Sequence, residues 1–344
     1  MSTAEKMPDS IEKSLQNILS GLPLQGNEAE ICDFSLEEQN EALESQGIQP
    51  SVDPKYTPVV CETVMYIVAC VIINEYDEIL MMQEAKKSCA GKWYLPAGHM
   101  EKSENIMQAC EREVLEETGL KIRCNTLLIV ESARGNWMRF VLTASVLGGQ
   151  LKTPSEADKE SLQAKWVKNL DELELRAGDI KHLIERARRY YSARQAGEEG
   201  WFKDQLPTLR AYCKQLLRLV VVIKKKSNNR VHVLLSERTS WHLPACEIHP
   251  TKSLHSTLRR FMIELFGAEV PSHRPCGLLS VEHDASMGLD GLCLTLLVAF
   301  RAPLEEVPII SKCVWHEVSS KDLSDELLTK VSSKNATFFL NVIK

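Results

Sequence analysis

Arginine is missing from the first 111 residues of this 344-residue chain, and other features of familiar protein classes are scarce as well. Mitochondrial transit peptides are rich in arginine, so we expect no such leader before Arg112. No apolar run approaches the ~20 residues that cross a bilayer, so we expect no membrane partner. The eleven cysteines form no C-x-x-C pair and the nine histidines no H-E-x-x-H. We therefore expect reduced thiols rather than disulfides or zinc, in the cytosol, with the nucleus as an alternative.

Positive charge is also scarce near the N-terminus. The net charge is −6; residues 1–55 carry −8, from three lysines and eleven acids, which leaves +2 for the rest. No basic stripe is present, so we expect no polymeric nucleic acid as a partner. Residues 1–60 are acidic and polar, and we expect them to be mostly disordered. Within them, Ile11, Leu15, Ile18 and Leu19 have helical spacing, which predicts either a transient helix or one that docks on a partner or on the protein's own body.

Residues 61–196 read as one mixed α/β domain. The runs MYIVACVIIN and ILMMQEA predict buried strands, and a helix is predicted from about Ser103 to Thr118, where Gly119 ends it. KIRCNTLLIVESA, MRFVLTASVLG and LQAKWVKNL predict further strands, and AGDIKHLIERARRYYSARQ predicts a closing helix. Strands on both sides of an internal helix favour a mixed α/β sandwich. Residues 197–215 are expected to be a linker or helix.

The chain then repeats itself. Residues 241–270 align without a gap to residues 93–122 at an offset of 148. Seven positions are identical: Trp93/Trp241, Leu95/Leu243, Pro96/Pro244, Ala97/Ala245, Arg112/Arg260, Glu116/Glu264 and Gly119/Gly267. One fold used twice is therefore predicted, with the second copy in residues 216–344.

Three carboxylates crowd the end of the predicted helix. Glu113, Glu116 and Glu117 share one helix face, where like charges cost roughly 0.2–0.5 kcal/mol per pair. A carboxylate near the C-terminal end also opposes the helix dipole. Such a face is either fully solvated or occupied by a cation, and oxygen ligands favour Mg²⁺ or Mn²⁺.

The surrounding pattern is more specific than the acids alone. Gly98, five residues, Glu104, seven residues, then Arg112, Glu113, Val114, one residue, Glu116, Glu117, one residue, Gly119 and Leu120 match every fixed position of the Nudix box. The chain therefore resembles the Nudix hydrolases. The resemblance implies an α/β/α sandwich with a mixed sheet, in which residues 98–120 form the box and a divalent metal promotes cleavage of a nucleoside-linked diphosphate.

The resemblance also implies roles for individual box residues. The Ala97 carbonyl and the carboxylates of Glu113, Glu116 and Glu117 would hold Mg²⁺ or Mn²⁺. Gly98 would allow the backbone to approach metal or phosphate closely. Glu104 and Arg112 would tie the loop to the helix, and Gly119 would end the helix. Val114, Cys110 and Met107 have the spacing of a core-facing side.

A base must take the proton from the attacking water. In the family this is a glutamate of the helix or of a downstream loop, so Glu116, Glu117 and Glu160 are the catalytic candidates, with Glu156 as a second loop candidate. Each loop acid also reads as an ordinary surface charge.

Segments outside the box bear on the substrate. MMQEAKKSCAGKWYLPAG, ESARGNWMRFVLTA and LKTPSEADKESLQAKW resemble the MutT-like 8-oxo-guanine nucleoside diphosphate phosphatases of this family. That implies hydrolysis of 8-oxo-dGDP and 8-oxo-GDP to monophosphate and phosphate, which sanitises the nucleotide pool, with Leu80 in contact with substrate. Trp93, Trp137 and Phe140 are candidate pocket walls, and Arg139 is a candidate phosphate ligand. ADP-ribose is the alternative substrate.

The second copy lacks most of the box. Cys246, Lys252, Phe261 and Leu265 replace Gly98, Glu104, Glu113 and Glu117, and of the three acids only Glu264 is retained. We therefore expect a degenerate Nudix-like domain without hydrolase activity, which acts as a structural support or else binds a ligand or protein. A non-catalytic nucleotide sensor or scaffold is the alternative for the whole chain. The sequence identifies no protein partner.

Overall fold

The structure is a computed structural model that describes residues 7–26, 30–197 and 203–343. In its first half, the elements after the N-terminal region are β1 (Met65–Cys70), β2 (Ile79–Glu84), β3 (Trp93–Tyr94), β4 (Ala97–His99), α3 (Ile106–Thr118), β5 (Leu120–Arg134), β6 (Trp137–Gly149), β7 (Ser161–Val167) and α4 (Lys181–Ala196). The helix of the box and the closing helix therefore form where the sequence predicts them. Among the described residues, no helix is both long and apolar enough to cross a membrane.

The second half repeats this order with β8 (Gln215–Lys224), β9 (Val231–Ser236), β10 (Ala245–Glu247), α5 (Leu254–Phe266), β11 (His273–Glu282), β12 (Leu292–Phe300), β13 (Cys313–Glu317) and α6 (Lys321–Ser332). The offset of 148 residues places α5 on α3 and β10 on β4, with identical lengths. The caps correspond too, because Asn105 begins α3 and Ser253 begins α5. The repeat seen in the sequence is thus a repeat of structure.

Each copy is built on a mixed sheet. In the first copy the order is β14-β5-β6-β1-β4, where β14 is the last strand of the chain (Phe339–Val342). Strand β1 runs parallel to β6 but antiparallel to β4. A separate three-stranded sheet has the order β3-β2-β7. In the second copy the order is β11-β12-β8-β9-β13, with β10 also paired to β8. Leu292–Phe300 is buried at every position, which is typical of a strand covered on both faces.

The last strand of the chain crosses back to the first copy. β14 (Phe339–Val342) pairs in parallel with β5, and Asn341 donates a hydrogen bond to the buried Glu131 at 2.7 Å. The end of the predicted second unit, residues 216–344, therefore contributes a strand to the sheet of the first copy. β5 would otherwise present an unpaired edge, and β14 covers it.

The N-terminal region also differs from expectation. Its described residues form α1 (Met7–Leu19) and α2 (Leu36–Glu44), so the prediction of a mostly disordered segment is wrong for them. Ile11, Leu15, Ile18 and Leu19 are buried against the β-strands and α6 of the second copy. The docking helix, one of the two alternatives, is the correct one. Residues 1–6 and 27–29 lie outside the described residues.

The predicted linker contains no helix in its described part, residues 203–214; residues 198–202 lie outside that part. The two copies pack directly on each other around Tyr66. Its hydroxyl donates to the Asp290 carbonyl at 3.0 Å and accepts from Gln215 at 3.1 Å. The β5–β6 turn also docks across the interface, since the Gly135 amide donates to the Lys252 carbonyl at 2.8 Å. The apolar core runs continuously from one copy into the other.

Candidate active site

Helix α3 is fixed at both ends by local hydrogen bonds. Asn105 and Gln108 form a reciprocal capping box, with both bonds 3.0 Å long, and such a cap contributes about 1 kcal/mol. At the other end Gly119 has φ 77°, a left-handed conformation that glycine adopts without strain. Val114 and Cys110 point into the core, as predicted. The three box glutamates are therefore held in fixed positions on α3, with Glu113 and Glu117 buried and Glu116 exposed.

Arg112 is the centre of a carboxylate cluster. It bonds both oxygens of Glu104, at 2.6 and 2.9 Å, and reaches the His99 carbonyl at 3.0 Å. One guanidinium nitrogen also donates to Glu113 at 2.8 Å and to Glu116 at 3.1 Å. A planar guanidinium can do this because its five N–H groups form a rigid fork. The loop that carries Glu104 is thereby held against the helix.

Gly98 lies directly against the carboxyl group of Glu113. A Cβ at this position would overlap all three atoms of that carboxyl group. The φ of Gly98 is not in the left-handed region, so the requirement for glycine here is space rather than backbone freedom. The spatial role of Gly98 is to let a buried acid approach strand β4.

Glu117 is the most deeply buried acid of the helix, with 2% of its surface exposed. It accepts a hydrogen bond from the Ala97 amide at 2.8 Å. Burial raises its pKa well above the usual range, and the negative charges of Glu113 and Glu84 raise that pKa further. The Ala97 carbonyl, which is also a predicted metal ligand, belongs to the same residue of the short strand β4 as this amide.

Glu113 is also buried, and its pKa is raised mainly by burial. Arg112 opposes this shift, while the charges of Glu116 and Glu160 add to it. The predicted loop acid Glu160 therefore acts electrostatically on Glu113. Glu156 instead bonds the backbone and hydroxyl of Thr153, both at 2.8 Å, which lowers its pKa. Glu156 thus serves to cap a local turn, and Glu160 is the better placed of the two.

Glu84 is a candidate that the sequence reasoning missed. It ends β2 with 2% exposure, and one oxygen pairs with Arg176 at 2.6 Å. Its other oxygen is buried without a hydrogen-bond partner among the described residues. The charge of Glu84 acts on Glu117. The sequence did contain a signal for this residue: a glutamate ends the largely apolar predicted strand ILMMQEA. A carboxylate buried in such a strand requires a partner.

The candidate substrate residues have other contacts in this structure. Leu80 is fully buried in the core and pairs with Trp166 across strands β2 and β7. Phe140 is also fully buried, packed edge-on against Tyr66, which argues against a place in a pocket wall. Trp93 lies under the Lys165 ammonium at 4.4 Å.

Arg139 and Trp137 complete the set of candidate substrate residues. Arg139 is 6% exposed and bonds Glu131, Tyr94 and Asp179. Its charge is thus balanced internally, which argues against the predicted phosphate contact. Trp137 is half-buried beside the turn that docks on the second copy. Substrate contacts at Leu80 and Trp137 stay predictions.

The donor chemistry of the acidic face suits a hard divalent cation. Glu84, Glu113, Glu116, Glu117 and Glu160 supply only carboxylate oxygens, which Mg²⁺ and Mn²⁺ prefer. The pKa values of Glu113 and Glu117 are raised, first by burial and then by the charges of neighbouring acids. Across the described ranges, no three such side chains already stand in an ion-binding arrangement. Glu113 and Glu116 are each paired with Arg112 instead.

The family of this chain follows from comparisons with known proteins. The NUDIX domain model matches residues 64–187. The human protein 8-oxo-dGDP phosphatase NUDT18 is 36% identical over 310 residues, which cover 86% of this chain and 93% of that protein. The chain therefore belongs to the Nudix hydrolases, enzymes that cleave phosphoanhydride bonds and generally use divalent cations.

Two further relatives bear the same name. The mouse 8-oxo-dGDP phosphatase NUDT18 is 35% identical over 85% of this chain and 92% of its own length. The zebrafish (Danio rerio) protein is 32% identical over 89% of this chain and 96% of its own length. The similarity thus extends through both copies and beyond the matched domain.

Proposed function

We propose that this protein hydrolyses oxidised purine nucleoside diphosphates, with 8-oxo-dGDP and 8-oxo-GDP as substrates, to the monophosphate and phosphate. The observation that carries the proposal is the buried acid pair Glu113 and Glu117, held against β4 beside the Arg112–Glu104 fork. The three curated relatives named for 8-oxo-dGDP supply the substrate class. A nucleotide sensor without catalysis would not need two buried carboxylates, one of which raises the pKa of the other.

The residues divide the chemical work. The carboxylates of Glu113, Glu116 and Glu117 and the Ala97 carbonyl would hold Mg²⁺ or Mn²⁺, which supplies charge neutralisation on the diphosphate and a more acidic water. A water molecule would attack the terminal phosphorus while the bond from this phosphorus to the bridging oxygen breaks, which yields phosphate and the monophosphate. We assign the proton of this water to Glu160, whose charge raises the pKa of Glu113.

A substrate panel tests the proposal. The wild-type chain is assayed with 8-oxo-dGDP, 8-oxo-GDP, dGDP, 8-oxo-dGTP and ADP-ribose, each with Mg²⁺ and with Mn²⁺. We expect the highest kcat/KM for the oxidised diphosphates. Glu117→Gln should lower turnover by about 10²–10⁴-fold, the range for a group that handles charge or protons in the transition state. Preferred cleavage of ADP-ribose, or full activity of Glu117→Gln, would contradict the proposal.

For the location of the protein we propose the cytosol. All eleven cysteines are free in the structure, including the exposed Cys61 and Cys213. Free thiols at the surface suit a reducing compartment.

A further inference from the structure

Residues 32–40 of the same chain pack on the part of the second copy that corresponds to the box of the first copy. The segment enters beside β10, the counterpart of the metal-binding strand β4. The Asp33 amide donates to the Ala245 carbonyl at 2.7 Å, and the Glu247 amide donates to the Phe34 carbonyl at 3.1 Å. Phe34 thereby forms a parallel bridge with Cys246, so the segment extends the strand edge by one short strand.

Asp33 supplies the carboxylate that the second copy has lost. In the first copy Glu117 accepts from the Ala97 amide at 2.8 Å. The counterparts are Leu265 and Ala245, and leucine cannot accept a hydrogen bond. Asp33 does so instead, with one oxygen 2.9 Å from the Ala245 nitrogen.

The same carboxylate has two more partners. Asp33 accepts from the Ser236 hydroxyl at 2.5 Å and lies 3.0 Å from Nε2 of His242. Its side chain is almost fully enclosed, at 8% exposure. A buried carboxylate with this many donors is a specific anchor, because its removal would leave several buried polar groups unpaired.

Phe34 packs at the position where the second copy has lost a glutamate of the box. Its ring stacks on Phe261, the counterpart of Glu113, with centroids 6.3 Å apart and planes within 9°. Phe34 is 5% exposed and Phe261 is fully buried. Phe34 and Phe261 thus form an aromatic pair at the position where the first copy has the carboxylate of Glu113.

The rest of the segment is the start of α2, which is held by hydrogen bonds to Glu247 and Arg260. The Leu36 amide donates to Glu247 at 3.1 Å, and the Gln39 side chain donates to the Glu247 carbonyl at 2.8 Å. Arg260, the counterpart of Arg112, donates to the Gln39 carbonyl at 3.2 Å. The arginine that organises the acidic loop in the first copy therefore contacts the peptide in the second.

We propose that the second copy has become a peptide-binding domain whose ligand is residues 32–40 of its own chain, anchored by Asp33 and Phe34 in the former substrate site. The ligand class is an acidic peptide with an Asp-Phe pair in extended conformation followed by a capped helix. A nucleotide cannot occupy the place that these side chains fill. The loss of the acids in this copy is thus an exchange of one ligand class for another.

Alkylation of Cys246 in the full-length protein tests this, because Cys246 is completely buried beside Phe34. Site-resolved mass spectrometry compares Asp33→Ala and Phe34→Ala with the wild type and with Glu41→Ala, a control at an exposed position of α2. Cys110, buried in the first copy, is the internal reference. We expect at least tenfold faster labelling of Cys246 in both anchor variants, with Cys110 and the control unchanged. Unchanged labelling of Cys246, or equal acceleration at both cysteines, would overturn the proposal.

Rescue in trans separates binding from a general loss of stability. A synthetic peptide of residues 31–45 is added to the Asp33→Ala protein before alkylation. The wild-type peptide should restore protection of Cys246, and the same peptide with Asp33→Ala should not. Failure of the wild-type peptide at millimolar concentration, or equal protection by both peptides, would show that the site is no peptide receptor.

Discussion

Single atoms decide the geometry of the acidic face. Gly98 was recognisable from the motif, but the sequence does not show that its missing Cβ makes room for the Glu113 carboxyl group. Glu84 was not recognisable, because its nearness to Glu117 depends on how β2 and α3 pack. Spacing along one helix is encoded locally, whereas contacts between elements arise only in the folded chain.

The claim that residue 98 has no room for a side chain can be tested by adding one methyl group. Gly98→Ala should displace Glu113 and lower kcat by 10-fold or more, with an unchanged circular dichroism spectrum. Gly178→Ala is the matched control, since a Cβ there meets nothing within 4 Å. Its kcat should equal that of the wild type. Full activity of Gly98→Ala would contradict the account of this position.

The raised pKa of Glu117 predicts a conflict between stability and activity. A buried carboxyl group with a raised pKa binds its proton more tightly in the folded state, so its contribution to stability is lost as pH rises through that pKa. Glu117→Gln cannot ionise and can still accept from Ala97. In chelator, it should be more stable than the wild type by roughly 0.5–2 kcal/mol, with a gain that grows from pH 5 to pH 8.

Thermal unfolding at several pH values measures this gain. Mn²⁺ should raise the melting temperature of the wild type and have little effect on Glu117→Gln, which removes the advantage of the variant. A melting temperature of the metal-free variant below that of the wild type at pH 8 would contradict the prediction.

Among the elements, sequence reasoning succeeded where periodicity is local. Helix α3, helix α4 and the repeat at an offset of 148 were all predictable from spacing. The order in α1 was harder, because four apolar residues in a polar segment indicate a helix but not the surface that stabilises it. That surface is the sheet and α6 of the second copy. The pairing of β14 with β5 joins residues about 210 positions apart, and nothing local encodes it.

Deletion of residues 339–344 tests what β14 contributes to the catalytic domain. The deletion exposes the edge of β5 and removes the Asn341 bond to buried Glu131, and such a loss typically costs about 1–3 kcal/mol. We expect faster amide hydrogen exchange in β5 and a lower melting temperature. Strand β12, in the other sheet, provides the comparison within the same molecule. Equal exchange in β5 with and without the last six residues would contradict the structural role.

Across the whole molecule, two copies of one fold differ at the positions of the box acids. The first keeps the acids and the second has exchanged them for Phe261 and Leu265, both buried. The copies share one continuous core and are joined by the Tyr66 and Gly135 contacts. The loss of box acids in the second copy is visible in the sequence. The packing of the N-terminal segment on that copy was not predictable, because the composition of the segment suggested disorder.

A pair of matched substitutions tests the division of function. Glu116 and Glu264 occupy equivalent positions, and both are exposed near the end of their helices. Glu116→Gln should reduce hydrolysis of 8-oxo-dGDP at least 10-fold, since the residue belongs to the proposed cation site. Glu264→Gln should leave kcat/KM unchanged, because no other acid of the box survives beside it. A similar loss of activity in both variants would show that the second copy takes part in hydrolysis.

The most direct test is an anomalous diffraction map at the manganese edge, from a crystal of the full-length protein soaked with Mn²⁺. We predict a peak within bonding distance of Glu113, Glu116 and Glu117 and none beside Glu264. A map without density at the acidic face of α3, at a Mn²⁺ concentration that supports turnover, would contradict the account.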